Sequence, residues 1–204
     1  MTHASSTARA RLDPALLAPL EELFQEGWDR WERFDGEVRQ HRFHPFVPAD
    51  YQVVLEALVG HSGPGLKFLE WGSALGIITI LADMLGFEAY GIELDDQLVR
   101  QARELARSKA SGARFAAGSF LPTGYRWDRR SGNRWLGTIG QGPSGYLQLG
   151  TPLDDFDVVF AYPWSGEEPI LLDLMSEYGR PDALLLMYSG NDGVTSYRGG
   201  RALL

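Results

Sequence analysis

From Asp13 onward, apolar side chains recur at Leu16, Leu20, Leu23/Phe24, Trp28, Trp31, Phe34 and Val38. Steps of three and four put such a set on one face of a helix. Asp13-Pro14 supplies an N-cap and a proline at the first helical position. The pattern predicts a helix over 13–39, with Pro19 and Gly27 as the places where it would break. A loop, HRFHPFVP, leads to a second helix opening at Pro48, with Tyr51, Val54/Leu55 and Leu58 on one face and a stop at Gly60. At Lys67 the period changes. Runs at 67–71, 87–94, 113–118, 156–162 and 183–189 read as strands, alternating with amphipathic helices at 75–86, 95–109 and 167–178. This order predicts an α/β domain built on a mostly parallel sheet.

Two stretches depart from that rhythm. After the run at 183–189 comes NDGVTSYRGGRALL, where Asn191-Asp192-Gly193 is a reversal signal between apolar stretches. A short antiparallel strand near 194–198 follows, giving a sheet of about six strands with an abbreviated C-terminal end. Residues 121–152 fit neither period and hold seven glycines, two tryptophans, two tyrosines and four arginines. Within them YRWDRRSGNRW predicts a hairpin turning at Ser131-Gly132-Asn133. An irregular stretch of this length inside a domain points to a functional or interfacial insertion.

The expected organisation is a disordered N-terminus over 1–12, a helical cap over 13–60 and an α/β domain over 61–204 carrying the insertion. MTHASSTARARL has no acids, which leaves an organelle transit peptide as the alternative to a frayed end. The 204 residues are 44% hydrophobic, enough for one sizeable core. A net charge of −8 argues against a sequence-independent nucleic-acid binder or an anionic-membrane binder. Without cysteine there are no disulfides, thiolate metal sites or thiol nucleophiles. No apolar run reaches the roughly 20 residues needed to cross a bilayer, so a cytoplasmic protein is expected. His41 and His44 have no evident third partner, and no metal site is predicted.

Chemistry enters at FLEWGSALG, residues 68–76. A strand that ends in glycines and runs into a helix offers backbone N–H groups and a positive helix end to a ligand. The dinucleotide fingerprint, anchored at Gly72, would need glycines at 74 and 77, where the chain has Ala74 and Ile77. That disfavours a nicotinamide-dependent reductase. What fits is E-x-G-x-x-x-G: Glu70, Gly72, Gly76. Seventeen residues later, in GIELDD, Glu93 ends the next strand, where a carboxylate can accept both hydroxyls of a ribose.

With these motifs, residues 68–120 resemble the cofactor half of the class I S-adenosylmethionine-dependent methyltransferases. FLEWGSALG…GIELDD…GSF…DVVFAYPW is similar to bacterial members with no assigned substrate. The resemblance implies a Rossmann-like, doubly wound sheet and S-adenosylmethionine as cofactor. It places Glu70 near the methionine amino group, Gly72 and Gly76 around the methionine and ribose, Glu93 on the ribose, and Gly118-Ser119 at the adenine. Trp71, Ser73, Leu94 and Phe120 complete the cofactor set. The family often has aspartate where Ser119 stands.

The methyl acceptor belongs beyond the fourth strand, FDVVFAYPW. Family members that methylate planar nitrogens carry Asn/Asp-Pro-Pro-Tyr there; Tyr162-Pro163-Trp164 keeps aromatic walls without the amide. Tyr162 and Trp164 would face a sulfonium as a cation–π surface or pack under the first helices. In SGEE, Ser165 and Glu168 read as a capping box, leaving Glu167 as the freer carboxylate. Candidate bases are Tyr51, His44, Glu167 and Tyr188. The expected activity is methyl transfer to an O or N atom of a small molecule, with a non-catalytic cofactor-binding module as the alternative. The Trp28, Trp31, Phe34 stripe would cover the pocket or serve as core. No nucleic acid or membrane partner is expected, and a homodimer is left open.

Overall fold

A computed structural model describes residues 10–126, 139–140 and 142–203. The predicted hairpin at 131–133 and most of the 1–12 terminus lie outside the described residues.

The first helix, α1 (Pro14–Phe34), runs unbroken through Pro19 and Gly27 and continues into a π-turn over Asp35–Arg39. Asp13 caps it by accepting the Ala15 N–H at 2.9 Å. Gly27 is there for close packing, since a Cβ would stand 2.8 Å from the Tyr51 ring. Helix α2 (Tyr51–Val59) begins later than expected, because Asp50 rather than Pro48 opens it. The Asp50 side chain takes the N–H groups of Gln52 and Val53 at 2.9 and 3.2 Å.

The sheet then builds as β1 (Lys67–Trp71), α3 (Ile77–Met84), β2 (Glu88–Glu93), α4 (Asp96–Ser108) and β3 (Arg114–Ala117). After the insertion come a short helix α5 (Gly145–Leu149), β4 (Val158–Ala161), α6 (Glu168–Tyr178), β5 (Leu184–Ser189), β6 (Gly193–Arg198) and β7 (Arg201–Ala202). Strand order is β3-β2-β1-β4-β5-β6-β7. The first five are parallel, and β6 and β7 are antiparallel to their neighbours. The doubly wound reading holds. The strand count is seven rather than about six, because Gly199 and Gly200, at φ +54° and +73°, fold the chain back once more into the two-residue β7. The reversal at Asn191–Gly193 makes the expected hairpin, with Ser189 opposite Gly193 and Leu184 opposite Arg198.

Alternation along the strands divides the core into two layers. Phe68, Ala89, Phe115, Phe160, Leu184 and Leu186 face α1, α2, α3 and α4. Leu69, Trp71, Tyr90, Ile92, Val159, Ala161 and Leu185 face α5, α6 and the insertion. The central strands are buried on both faces, so β4 (VVFA) and most of β5 read as continuous apolar runs. Winding reverses between β1 and β4, and in open sheets of this kind the crevice lies beyond the carboxyl ends of those two strands.

Candidate functional site

A cleft of about 620 Å³ opens at that place. Its floor is Gly72, Ala74, Ile92, Glu93, Leu94, Gly118 and Phe120, and its far side is His44–Val47 with Tyr162–Ser165. A second cavity of about 40 Å³ shares Phe46, Val47, Gly72, Ala74 and Tyr162 with it, and reaches Glu70, Ser73 and Tyr51.

The loop between β1 and α3 is shaped by left-handed residues: Gly72 at φ +75°, Ala74 at +43° and Gly76 at +78°. Gly76 must be glycine on two counts. It opens α3 in the left-handed region, and a Cβ would lie 2.7 Å from the Phe115 ring and 2.9 Å from Ala102 Cβ. Gly76 therefore packs the loop down and does not line the cleft. Ala74 sends its N–H to Glu93 Oε2 at 2.9 Å, while Glu93 Oε1 accepts the Asp95 N–H at 2.9 Å. Both oxygens are thus anchored in the cleft floor with lone pairs to spare. Burial raises the Glu93 carboxyl, partly offset by the N–H bonds from Asp95 and Ala74.

Glu70 lies beneath the loop, 5% exposed, with the Thr79 hydroxyl donating to Oε2 at 2.5 Å. Burial pushes its pKa up to about 8, against the lowering effect of the Thr79 hydrogen bonds. No cation pairs with it among the described residues, although it borders the small cavity. A buried carboxylate without a counter-ion is the setting an ammonium group would complete.

The remaining cofactor candidates divide. Leu94 and Phe120 line the cleft, as does Gly118, where a Cβ would meet the Pro143 carbonyl oxygen at 2.4 Å. The Trp71 side chain points into the other layer, with its indole N–H on Tyr146 Oη at 2.8 Å and its ring stacked 5.2 Å from Phe120. It supports Phe120 from behind. Ser119 is turned away: its hydroxyl donates to the Gly140 carbonyl at 2.7 Å and accepts the Leu121 N–H at 3.1 Å. Ser73 lines the small cavity with a buried hydroxyl that has no partner, its Oγ so close over Gly91 that a Cβ on Gly91 would meet it at 2.7 Å.

On the acceptor side, Tyr162 and Trp164 stand in the cleft wall as expected. Tyr162 meets Tyr188 edge to face at 4.7 Å, and burial raises its phenol. Trp164 donates its indole N–H to the Pro45 carbonyl at 3.2 Å. Tyr188 packs into the core, and Tyr51 meets Trp28 at a tilt, ring centres 4.9 Å apart, its phenol raised by burial and by Glu70. His44 lines the cleft but has neither ring nitrogen to spare. Nδ1 accepts the Phe46 N–H at 3.1 Å, which assigns the proton to Nε2, facing Asp95 Oδ2 at 3.3 Å. Burial lowers its pKa below the ordinary value, and Asp95 only partly offsets that.

The capping box is rearranged. The residue before α6 is Glu167, not Ser165, and Glu168 reaches back to the Gly166 N–H at 2.9 Å. Glu167 accepts the N–H groups of Trp164 and Ile139 at 2.8 and 3.2 Å, tying the wall to the insertion. Sequence reasoning left out the roof residues Pro45, Phe46 and Val47. Phe46 packs on Trp31 at 5.0 Å, and Phe34 meets His44 at 4.9 Å, so the α1 stripe backs the roof without lining the cleft. No group of three or more His, Asp or Glu converges as metal ligands among the described residues. No described helix is long and apolar enough to cross a membrane.

No family model matches the chain. It is 31% identical over 122 residues to a ribosomal protein L11 methyltransferase of Thermus thermophilus, a match covering 57% of this chain and 47% of that protein. The chain thus spans about half the length of that relative. Among solved structures, an RNA methyltransferase from Salinibacter ruber in complex with S-adenosyl-L-homocysteine aligns with TM-score 0.49 and 19% identity, covering 69% of this chain and 76% of that one. A SAM-dependent methyltransferase from Thiobacillus denitrificans, also with S-adenosyl-L-homocysteine, gives TM-score 0.44 and 21% identity over 76% of this chain and 53% of that one. In sheet order and in that sequence match, the chain is similar to the class I S-adenosylmethionine-dependent methyltransferases.

Proposed function

We propose that the chain binds S-adenosylmethionine in the 620 Å³ cleft and transfers its methyl group to an O or N atom of a small molecule. The observation that carries this is the Glu93 carboxylate, held by two backbone N–H groups in the floor of a crevice at the sheet's reversal point. When bound, the sulfonium supplies an electrophilic methyl group. Glu93 would hold the ribose hydroxyls, and Leu94, Gly118 and Phe120 would pack on the adenine. Gly72 and Ala74 would leave room for the amino-acid tail, whose ammonium Glu70 would receive. Tyr162 and Trp164 would then face the reacting carbon, keep water out and align the acceptor, which is most of what an in-line displacement needs. The acidic chain favours a small acceptor over a polyanion.

One observation favours the non-catalytic alternative: His44 and Glu167, two of the candidate bases, are engaged by backbone groups. Calorimetry with S-adenosylhomocysteine tests the cofactor reading. Micromolar binding is expected, weakened at least tenfold in Glu93→Ala; absence of binding to the wild-type protein refutes it. Methylated product from a metabolite mixture, lost in Glu93→Ala, separates enzyme from module.

A further inference from the structure

The acceptor half of the cleft has a one-sided chemistry. Its walls are Pro45, Phe46, Val47, Tyr162 and Trp164. At the mouth, Phe43 stands 66% exposed with its ring 5.9 Å from Trp164. No lysine or arginine lines the cleft among the described residues. Arg39 stands behind the wall, donating to Asp35 Oδ1 at 3.0 Å and to the His44 carbonyl at 3.3 Å, with its guanidinium over the Trp31 ring at 5.0 Å. The charges that do line it are the acids Glu93 and Asp95. Among the described lining residues a carboxylate or phosphate on the acceptor would find no cationic side chain to offset its desolvation, whereas a flat neutral ring, or a cation, would find aromatic walls.

The same residues offer no ready proton acceptor. Both His44 nitrogens are engaged, and Asp95 holds the N–H groups of Gln97 and Leu98 through Oδ1 while its Oδ2 meets His44. Tyr162 is a phenol whose proton burial holds more firmly. Chemistry at such a site suits a nucleophile that already has a free lone pair and loses no proton on reaction.

We infer that the acceptor is a planar, neutral heteroaromatic compound methylated on a pyridine-type ring nitrogen. The deduction rests on the cofactor reading above. In this step the nitrogen lone pair forms the N–CH₃ bond while the C–S bond breaks, its electron pair remaining on sulfur. The donor leaves as a neutral thioether, and the positive charge passes to the methylated ring. No proton is released, so no base is required. Charge stays between the same aromatic walls and acids throughout, and these favour the cationic product as much as the cationic donor.

The experiment uses the whole chain and four bicyclic probes of matched size: isoquinoline, N-methylisoquinolinium, 2-naphthol and 2-naphthoate. Binding is read by tryptophan fluorescence and calorimetry, independently of turnover. Isoquinoline and its N-methyl cation are expected to bind at least tenfold more tightly than 2-naphthoate. Trp164→Leu should weaken them at least tenfold while changing S-adenosylhomocysteine affinity less than threefold. With S-adenosylmethionine saturating at every pH, so that the ionisation of Glu70 does not limit donor binding, isoquinoline should yield N-methylisoquinolinium at a rate that falls only where the ring nitrogen itself protonates in acid. Naphthoate binding as tightly as isoquinoline overturns the inference. So does transfer to 2-naphthol with a protein group titrating near neutrality, or unmethylated isoquinoline in a protein that binds S-adenosylhomocysteine. Loss of S-adenosylhomocysteine binding in the wild type would instead defeat the cofactor reading beneath it.

Discussion

Replacing Glu70 by glutamine removes an ionisation while keeping an oxygen for the Thr79 hydroxyl to donate to. In the folded chain burial raises this carboxyl from 4.5 to about 8. The sign follows directly. Below pH 4.5 both states hold the proton and stability is undiminished. Between 4.5 and about 8 the unfolded chain releases the proton first, so stability is lost as pH rises through that window. At about 1.4 kcal/mol per pH unit, ionisation favours the unfolded wild-type chain by up to about 3 kcal/mol at pH 7. The variant escapes this loss but buries an amide NH₂ without an acceptor, at about 1–3 kcal/mol independent of pH. Urea unfolding from pH 5 to 8 is therefore expected to show Glu70→Gln as the weaker protein in acid and the equal or stronger one at pH 8. Calorimetry supplies the second arm. Binding S-adenosylhomocysteine near pH 7 should release a proton from the wild type as its ammonium draws Glu70 into the charged form, and release less from the variant. Parallel stability profiles for the two proteins would refute the reasoning.

Three further outcomes follow from the same geometry. Gly76→Ala combines a left-handed backbone with a Cβ 2.7 Å from the Phe115 ring, so chemical denaturation should show a loss of about 2–5 kcal/mol. Trp71→Phe deprives the buried Tyr146 hydroxyl of its indole donor; thermal unfolding should show a cost of about 1–3 kcal/mol, and S-adenosylhomocysteine affinity should fall only modestly. His44 is held neutral by burial. Because its folded pKa is lowered, the unfolded chain protonates first as pH drops below about 6.5, and that part of the acid destabilisation should be absent in His44→Gln.

Much of the fold was legible because the strands are buried on both faces and the helices on one. An unbroken run such as VVFA and an amphipathic run such as 95–109 leave little choice of element. The glycine loop and Glu93 were legible as well, since left-handed turns restrict residue type and strand lengths fix the distance between them. Side-chain direction was harder. Trp71 follows Glu70 on a strand, so alternation obliges the two to face opposite layers, but with both layers buried the pattern did not say which layer each enters. Ser119 was misplaced because Gly140 and Ser144 lie beside it, non-local contacts that local pattern does not encode. The Glu167/Glu168 exchange has a simpler cause. A capping box is defined by where the helix starts, and α6 starts at Glu168, two residues later than a cap at Ser165 would set. The roof at 44–47 looked like a loop between helices, and only its fixing through Pro45 to Trp164 and through His44 to Asp95 makes it part of the site.

That double fixing has a consequence for the order of assembly. The Pro45 carbonyl waits for the indole of Trp164, 119 positions downstream. At roughly 5–20 residues per second on the ribosome, the delay is on the order of 6–24 s. Throughout it the early aromatic residues Phe43, Phe46 and Trp31 have their helical neighbours but not the wall they close against. The crevice is thus among the last parts of the molecule to take shape during synthesis, and a nascent chain would gain ligand-binding capacity abruptly once β4 and the residues after it emerge.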